Sequence, residues 1–560
     1  MKKTIKVTGF LLLLVFVLWR CSSPRSGNIA NQNSLPTDVL PSCTVSQDSF
    51  NTWFASGKAT ENGLVTAANS VAFPHNNNCD FYQWSERMFL WVTSPEPAGG
   101  SVLESPLFYD VTADSAGNRN LIPHSSGVPL RMSGHITKNG PNNLPVITDK
   151  TGRLLEIENP GPETNVRAFV KNTAGQTAEV AQVKANAQGK LQFLDRSGTP
   201  IANPKAIINH KNQQDFVRRF RVGNKFVFLD AQGNIIESEA GQATGDVLMS
   251  QNGSLVYYIT MVNDVYAYYM MAAKQGKMDI THFPTTAGAR DSICAFAKSK
   301  GVYLPDSNAL AIEIKSSWVE ASTLPDPSSF YTIKATVPTY DTTNSLQWTP
   351  KGEKTVLMAM VGIHIVGSVA GHPEMIWSTF EHKGNTPNAS YDYLNASHQL
   401  AEVKADTGGG WTFNRNATDT PTNIAHMVDT AHGAASDTIY AVNGHAISAS
   451  NTLRLFAWGS AKGQVTNPED KSSAASNSEV ISINNSIQNL LVGNDTRKNY
   501  LFIGATWTNK GAAPNGKSYS LTNQEDGAAI GTNILANSTM ETYFQLPTKS
   551  CFTCHSQHDT

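Results

Sequence analysis

The order of hydrophobic and polar residues predicts a chain dominated by β-strands. Residues 310–319 alternate between apolar and polar side chains, which is typical of a strand with one buried face. Residues 356–369 form an almost continuous apolar run, and residues 374–382 follow after a short turn that contains Gly371 and Pro373. Because Gly and Pro are confined mostly to that corner, we expect this pair of strands at the centre of a sheet.

Other segments predict hairpins and a few helices. Between residues 145 and 240, short alternating runs flank Asp-x-x-Gly turns, a pattern that indicates strand, turn and strand. Residues 80–92 place Phe81, Trp84, Met88 and Trp91 on one helical face, and helices are also expected at 263–273 and 291–298. Residues 405–425 and 461–480 are polar and are expected to be loops.

These patterns together favour a mainly β fold, a sandwich or a distorted barrel with a few peripheral helices. We place the β-rich body at residues 43–545, and a division into 43–305 and 306–545 is one option for it. A short tail at residues 546–560 follows the body.

Composition narrows the range of functions. Of the 560 residues, 43 are basic and 45 acidic, which gives a net charge of −2, and no basic block stands out. The sequence therefore predicts no nucleic-acid partner. Hydrophobic residues make up 40% of the chain, enough for a large core, and no stretch after residue 20 is apolar for long enough to cross a membrane.

The N-terminus is typical of an exported protein. Lys2, Lys3 and Lys6 precede an apolar stretch at residues 7–19, so residues 1–20 are expected to be a signal peptide. Cys21 stands where a bacterial lipoprotein is cleaved and acylated, although the bulky Trp19 and Arg20 before it depart from that pattern. Ordinary cleavage and an uncleaved anchor remain alternatives. We expect residues 21–42 to be a flexible tether and the protein to work in the periplasm or at the cell surface, with a lipid anchor as its membrane contact.

Three further cysteines precede the tail. An oxidising compartment favours a disulfide between Cys43 and Cys79. Cys294 then has no partner, and its amphipathic surroundings predict a buried, inert thiol.

The tail carries the most specific motif in the chain. Cys551-Phe552-Thr553-Cys554-His555 is the C-x-x-C-H string to which a c-type haem is attached, with the two thiols bound to the vinyl groups and the histidine as an axial ligand of the iron. A zinc half-site, a thioredoxin-like redox pair and a plain disulfide are the alternatives. Zinc requires further soft ligands, and a redox pair normally opens a helix within a βαβ unit. We therefore expect one covalently bound haem c at Cys551, Cys554 and His555.

A second axial ligand must come from upstream, or the iron keeps an open position. The predicted central hairpin supplies the candidates, among which Met375 is the possible distal ligand and His372 and His382 are candidate acid–base residues. Strand alternation puts Met375 and His382 on opposite faces unless a bulge intervenes. A separate metal site with Glu374 or Glu381 is another interpretation of these histidines. The remaining alternative is that each histidine only makes a hydrogen bond at a corner or a strand edge. The further candidates are His364, Met427 and Met540.

Several strings resemble a family of exported bacterial proteins known as cytochrome c family proteins. The strings lie at residues 79–86, 89–95, 371–382 and 539–555. The resemblance extends from about residue 79 to the tail and is weakest near 150–250. It implies a haem at Cys551, Cys554 and His555, and implies no particular activity.

Three functions fit the sequence. The first is electron transfer through one covalent haem to a redox partner that the sequence does not identify. The second is a haem-dependent oxidoreductase, of the peroxidase or oxygenase type, whose β-rich body forms the pocket for a small-molecule substrate. The third is a surface binding lipoprotein without haem, in which the tail cysteines form a disulfide.

Overall fold

A computed structural model of the protein describes residues 33–555, apart from 98, 114–118, 135–145, 149–153, 159–167, 186–190, 223–224, 237–245, 280–282, 307, 429–437, 442–443, 543–544 and 546–549. The predicted signal peptide, Cys21 and the first part of the predicted tether lie outside the described residues. In the part of the chain that is described, no helix is long and apolar enough to cross a membrane.

The fold is mainly β, as the sequence predicts, and many more of the described residues lie in strands than in helices. The strands form open, sandwich-like sheets, and no closed barrel occurs among the described residues. The helices are α1 (Gln47–Trp53), α2 (Asn78–Val92), α3 (Asp264–Lys274), α4 (Ala287–Ser299), α5 (Ser473–Leu490) and α6 (Cys551–Cys554). The strands are β1 (Phe108–Ala113), β2 (Arg119–Pro123), β3 (Leu130–Arg131), β4 (Val146–Thr148), β5 (Leu154–Ile157), β6 (Ala168–Lys171), β7 (Thr177–Val180), β8 (Gln182–Ala185), β9 (Leu191–Leu194), β10 (Lys205–Ala206), β11 (Phe216–Val222), β12 (Lys225–Asp230), β13 (Ile235–Ile236), β14 (Asp246–Val247), β15 (Tyr257–Asn263), β16 (Ile312–Glu320), β17 (Thr332–Asp341), β18 (Gln347–Val369), β19 (His372–His382), β20 (Tyr391–Leu394), β21 (Leu400–Val403), β22 (Ala425–Val428), β23 (Thr438–Ala441), β24 (Tyr500–Thr508) and β25 (Ala529–Gly531).

A 13-stranded sheet forms the main body, with the long strand β18 at its centre. β18 pairs antiparallel with β16 and with β19, and β19 in turn pairs with β24. The central hairpin expected from the sequence is therefore present. β15 pairs with β16, so one sheet spans the point near residue 305 where a division of the body was an option.

Helix α2 covers the face of this sheet that carries Phe380. A capping box fixes its start, because the Asn77 side chain accepts from the Asp80 N–H while the Asp80 carboxylate accepts from the Asn77 N–H. Phe89 stacks on Phe380 with ring centres 4.4 Å apart. Trp84 is fully buried beside Gly367, where a Cβ atom would lie 2.8 Å from the indole ring. The glycine therefore lets the helix approach the strand closely.

Strands β4 to β13 form three small sheets of their own. Their buried side chains, such as Phe193, Phe220 and Leu229, pack in clusters that contain only residues from this part of the chain. Both predicted Asp-x-x-Gly turns are present. The Gly198 N–H donates to the Asp195 carbonyl over 3.0 Å, and the Gly233 N–H donates to that of Asp230 over 3.2 Å.

Residues 33–42 and the cysteines of the body differ in part from what the sequence predicts. Residues 33–42, expected to be a tether, pack on the body instead: Asn33 is buried and donates to the Lys383 carbonyl over 2.7 Å. Cys43 and Cys79 form a disulfide, the pairing expected from the sequence. Cys294 lies in α4 but is only half-buried, and the Arg290 Nη1 lies 2.6 Å from its sulfur.

The expectation of a loop at residues 461–480 was wrong in its second half, because α5 begins at Ser473. The expected loop at 405–425, in contrast, contains no helix or strand until β22 begins at its last residue.

Candidate functional site

The C-x-x-C-H motif forms a single helical turn at the end of the described chain. Helix α6 spans Cys551–Cys554, and its start is fixed by a capping box in which the Ser550 N–H donates to the Thr553 hydroxyl over 3.0 Å. The His555 N–H donates to the Cys551 carbonyl over 3.0 Å, so the histidine directly follows the turn. The backbones of Cys551, Cys554 and His555 are therefore adjacent in space. The side chain of Cys554 lies outside the described part.

Two aromatic contacts attach this turn to the main sheet. Phe552 is fully buried and meets the edge of the Trp377 ring, with centres 5.6 Å apart. The His555 imidazole lies against the same tryptophan, with centres 4.6 Å apart and the ring planes tilted by 45°. Trp377 belongs to β19, so the motif histidine lies against one strand of the central hairpin.

The face of the sheet that carries Trp377 also carries His364. In the β18–β19 ladder, Trp377 lies opposite Val366 and Thr379 lies opposite His364, and residues opposite each other share a face. The His364 Nε2 is 3.0 Å from the Glu541 Oε1. Burial raises the pKa of the Glu541 carboxyl, but the neighbouring His364 imidazole and further hydrogen bonds outweigh it, so the pKa is lowered overall.

The chain that leads to the motif is fixed on the same face. The Asn537 amide donates to the Thr379 hydroxyl over 2.9 Å, and the Ser538 N–H donates to the Glu381 carboxylate over 2.7 Å. Glu381 in turn pairs with Arg454 over 2.7 Å, and both side chains are fully buried. These contacts hold residues 537–542 against β18 and β19 and determine where the tail begins.

Met375, the expected distal ligand, lies at an irregular point of β19. Its φ of 68° is unusual for a residue other than glycine, and the β18–β19 register shifts nearby, between Gly367 and Val369. A bulge therefore does intervene in this strand. Met375 is buried in a cluster that includes Val366, and Trp377 packs against that cluster. The residue thus neighbours the tryptophan that contacts His555, and its role as an iron ligand stays a prediction.

The two candidate acid–base histidines have different surroundings. His382 is buried with its ring stacked on Phe330, with centres 3.6 Å apart, and its Nδ1 accepts from the Gly384 N–H. Burial, followed by the nearby Lys383 charge, lowers the pKa of His382 to about 3. The side chain is therefore neutral at physiological pH, which favours a structural role. His372 is partly exposed and contacts Glu374 at the other end of β19.

Sequence reasoning did not assign a role to Trp377, Phe552 or Glu541. Strand alternation does place Trp377 on the same face as Met375, which was a usable signal. Nothing in the local sequence shows that Phe552 contacts Trp377, because the two residues are 175 positions apart in the chain. Met427 and Met540, the other candidate ligands, are buried in separate hydrophobic clusters.

Compared with known proteins, the chain matches no family model, no curated protein and no solved structure. Only the chemistry of the side chains on the C-x-x-C-H turn therefore indicates what this site could bind. An axial imidazole binds iron through a ring nitrogen at its edge and leaves its faces available for packing. Contact between His555 and Trp377 is compatible with that arrangement, and Cys551, Cys554 and His555 are the residue types that a covalently attached haem requires.

Proposed function

We propose that the protein is an exported c-type haem protein that transfers electrons through one covalently attached haem. Cys551 and Cys554 would bind the porphyrin and His555 would be an axial ligand of its iron. The observation that carries the proposal is the C-x-x-C-H string on one helical turn, held against the sheet by the buried Phe552. The bound group would supply a one-electron redox couple.

The protein's own residues would orient this site. Phe552 anchors the turn, and Trp377 restricts the rotation of the His555 ring through their contact. A rigid axial ligand lowers the structural change that accompanies oxidation and reduction, which favours fast electron transfer. Met375 is the proposed distal ligand, because the cluster that contains it also contacts Trp377.

A haem-dependent oxidoreductase is the second candidate, and one observation favours it. His364 and Glu541 form a hydrogen-bonded pair on the face that carries Trp377. A carboxylate that accepts a hydrogen bond from an imidazole orients the ring and supports proton transfer by its other nitrogen. In this version the iron keeps an open position for a small-molecule substrate or oxidant, and His364 would hold or move the proton.

The first experiment is an absorption spectrum of the protein produced in a host that attaches c-type haem, together with haem staining on a denaturing gel. Covalent haem in the wild-type chain, and its loss in a Cys551→Ser, Cys554→Ser variant, is the expected result. His555→Ala should change the spectrum, while His445→Ala, at an exposed site, should not. Absence of haem in the wild-type protein would instead favour a surface binding lipoprotein.

Spin state separates the two haem functions. A low-spin, six-coordinate iron that becomes five-coordinate in Met375→Leu supports electron transfer with methionine as the distal ligand. A high-spin, five-coordinate wild type, with peroxidase activity reduced in His364→Ala, supports the enzyme instead.

Export is the remaining part of the proposal. The positive start, the apolar stretch at 7–19 and Cys21 support a periplasmic or cell-surface location with a lipid anchor. Membrane fractionation of the wild type and of Cys21→Ser tests it. Release of the variant into the soluble fraction is expected if Cys21 is acylated.

A further inference from the structure

A second cluster of potential ligands lies at the other end of β19 and shares no residue with the tail. His75 belongs to the loop before α2, and His372 begins β19. Their ring centres are 5.0 Å apart with planes at 74°, and each ring lies close to Phe81. Two partly exposed imidazoles therefore lie edge to face, next to a buried phenyl ring.

The hydrogen bonds of the two rings fix which nitrogen carries the proton. The His75 Nδ1 lies 3.1 Å from the Phe73 carbonyl, which can only accept, so the Nδ1 is protonated. The His372 Nδ1 lies 2.7 Å from the Glu374 Oε1 and donates to that carboxylate. In the neutral form of each ring the lone pair is then on Nε2, the tautomer in which Nε2 can bind a metal.

Besides the Nε2 lone pairs of His75 and His372, Glu374 provides a second feature that is typical of metal sites. Its side chain is 1% exposed, and its Oε2 has no hydrogen-bond partner among the described residues. A buried carboxylate that holds the far side of an imidazole is the usual outer-shell partner of a metal-binding histidine, since it orients the ring and makes the ligand nitrogen more basic. The other oxygen, Oε1, also accepts from the Thr508 N–H over 3.4 Å, which holds the carboxylate in place.

The spacing of the rings suits a shared ion. With Zn–N bonds of about 2.0–2.1 Å and a tetrahedral angle, the centres of two imidazole ligands lie about 5 Å apart. The observed separation of 5.0 Å agrees with this value. No group of three or more His, Cys, Asp or Glu residues in the described ranges is arranged to hold a metal, so water or an external ligand would complete the coordination.

We propose that His75 and His372 form an open two-histidine site for a late first-row divalent metal, Zn²⁺ or Cu²⁺, with Glu374 as the positioning residue behind His372. Imidazole ligands without a thiolate select such ions over Mg²⁺ and Ca²⁺, which prefer oxygen. The open positions would allow the ion to bind an external donor, either a small ligand or a side chain of another protein.

The test is a metal titration of the full chain, purified without a polyhistidine tag and stripped with a chelator. Zn²⁺ is added in competition with a chromophoric chelator, and the number of sites and their affinity are measured. We expect His372→Ala and His75→Phe to lose one site that the wild type has. His75→Phe keeps an aromatic ring against Phe81, so its loss of binding would not be a packing defect.

Two further variants make the result specific. His445→Ala removes an exposed histidine elsewhere and should keep the site, which controls for the 14 histidines of the chain. Glu374→Gln should weaken binding about 10-fold or more, as loss of an outer-shell carboxylate does. Electron paramagnetic resonance of the Cu²⁺ form should show two imidazole nitrogens in the wild type.

The proposal is overturned if the wild type binds Zn²⁺ no more tightly than the His75→Phe, His372→Ala double variant. Unchanged binding in both single variants, with native circular dichroism, also overturns it and would leave the rings as an aromatic cluster with Phe81. Loss of binding in His445→Ala as well would place the bound ions on surface histidines and contradict the site.

Discussion

Glu381 and Arg454 form an ion pair from which solvent is excluded. Their side chains are 0% and 1% exposed, and the Glu381 carboxylate also accepts from the Ser538 N–H. The desolvation of two buried charges is offset only while both remain paired. The pair therefore makes the position of residues 537–542 sensitive to the loss of either partner.

We expect Arg454→Met to destabilise the protein by about 3–5 kcal/mol, because it leaves the Glu381 charge buried and unpaired. Chemical denaturation measures the change. The control is Lys517→Met, which breaks the exposed pair of Lys517 with Glu525 and should cost less than about 1 kcal/mol. Equal effects of the two substitutions would contradict the importance of burial at Arg454.

The buried His382 links stability to pH. In the unfolded chain the His382 side chain has a pKa of about 6.5, whereas burial lowers its pKa in the folded protein to about 3. Between these values the unfolded state binds more protons than the folded state, so this histidine makes the protein less stable as pH falls below about 6.5.

The substitution His382→Asn should reduce this dependence, since asparagine does not titrate and its side-chain oxygen can accept from the Gly384 N–H in place of Nδ1. Unfolding free energies at pH 7, 5.5 and 4.5 provide the measurement. His445→Ala, which removes an exposed imidazole, should keep the wild-type slope. A slope in His382→Asn as steep as in the wild type would show that His382 does not account for it.

Among the packed elements, Gly362 in β18 allows residues 537–542 to lie close against this strand. A Cβ atom there would lie 2.7 Å from the Thr539 hydroxyl and 2.8 Å from the Asn537 amide. Both residues belong to the segment that carries the chain toward the motif. A methyl group at this point must therefore push the segment away from the sheet.

We expect Gly362→Ala to cost about 1–3 kcal/mol, which is the usual effect of overpacking, and to expose residues 537–542 to proteolysis. Gly288→Ala is the matched control, because a Cβ atom in this first turn of α4 meets nothing within 4 Å. That substitution should be neutral or stabilise by up to about 1 kcal/mol. Limited proteolysis and denaturation of both variants test the difference.

Helix α5 shows why one element escaped sequence reasoning. Besides Val480, Ile483 and Ile487, its buried face contains Ser476, Ser478, Ser482 and Asn484, and these polar residues obscure the apolar periodicity, above all before Val480. The structure satisfies them individually: Ser482 donates to the Cys43 carbonyl over 2.8 Å, and the Asn484 amide donates to the Phe502 carbonyl over 2.7 Å. Pattern reasoning detects hydrophobic burial, and it cannot anticipate polar burial that depends on partners distant in the chain.

The elements that sequence reasoning did find have local signals. The central hairpin follows from two apolar runs around Gly371, and α2 follows from its aromatic stripe. The candidate site could be predicted from the sequence only in part. The motif and the Met375 face could be inferred from the sequence, whereas the contact of Trp377 with His555 and the pairing of His75 with His372 depend on tertiary packing.

At the scale of the whole molecule, the 13-stranded sheet and the hairpins at residues 146–236 have separate hydrophobic clusters. No described residue outside that range contributes to the clusters around Phe193 and Leu155. The main core, in contrast, includes residues from Val39 to Leu535. A hydrophobic core is the unit that folds cooperatively. The stability of the main sheet should therefore depend little on the hairpins at residues 146–236 and strongly on the segments that belong to the main core.

We therefore expect that replacing residues 146–236 by a short Gly/Ser linker leaves the main sheet folded, because no described residue of this range belongs to the main hydrophobic cluster. Near-UV circular dichroism from the buried Trp84 and Trp318, and retention of the tail spectrum if haem is attached, would measure this. The matched comparison is removal of residues 33–42, a much shorter segment whose Asn33 and Val39 are buried in the body. If stability followed segment length, the longer deletion would do more damage. If it follows burial against the main core, as the structure indicates, the ten-residue deletion is the more harmful of the two.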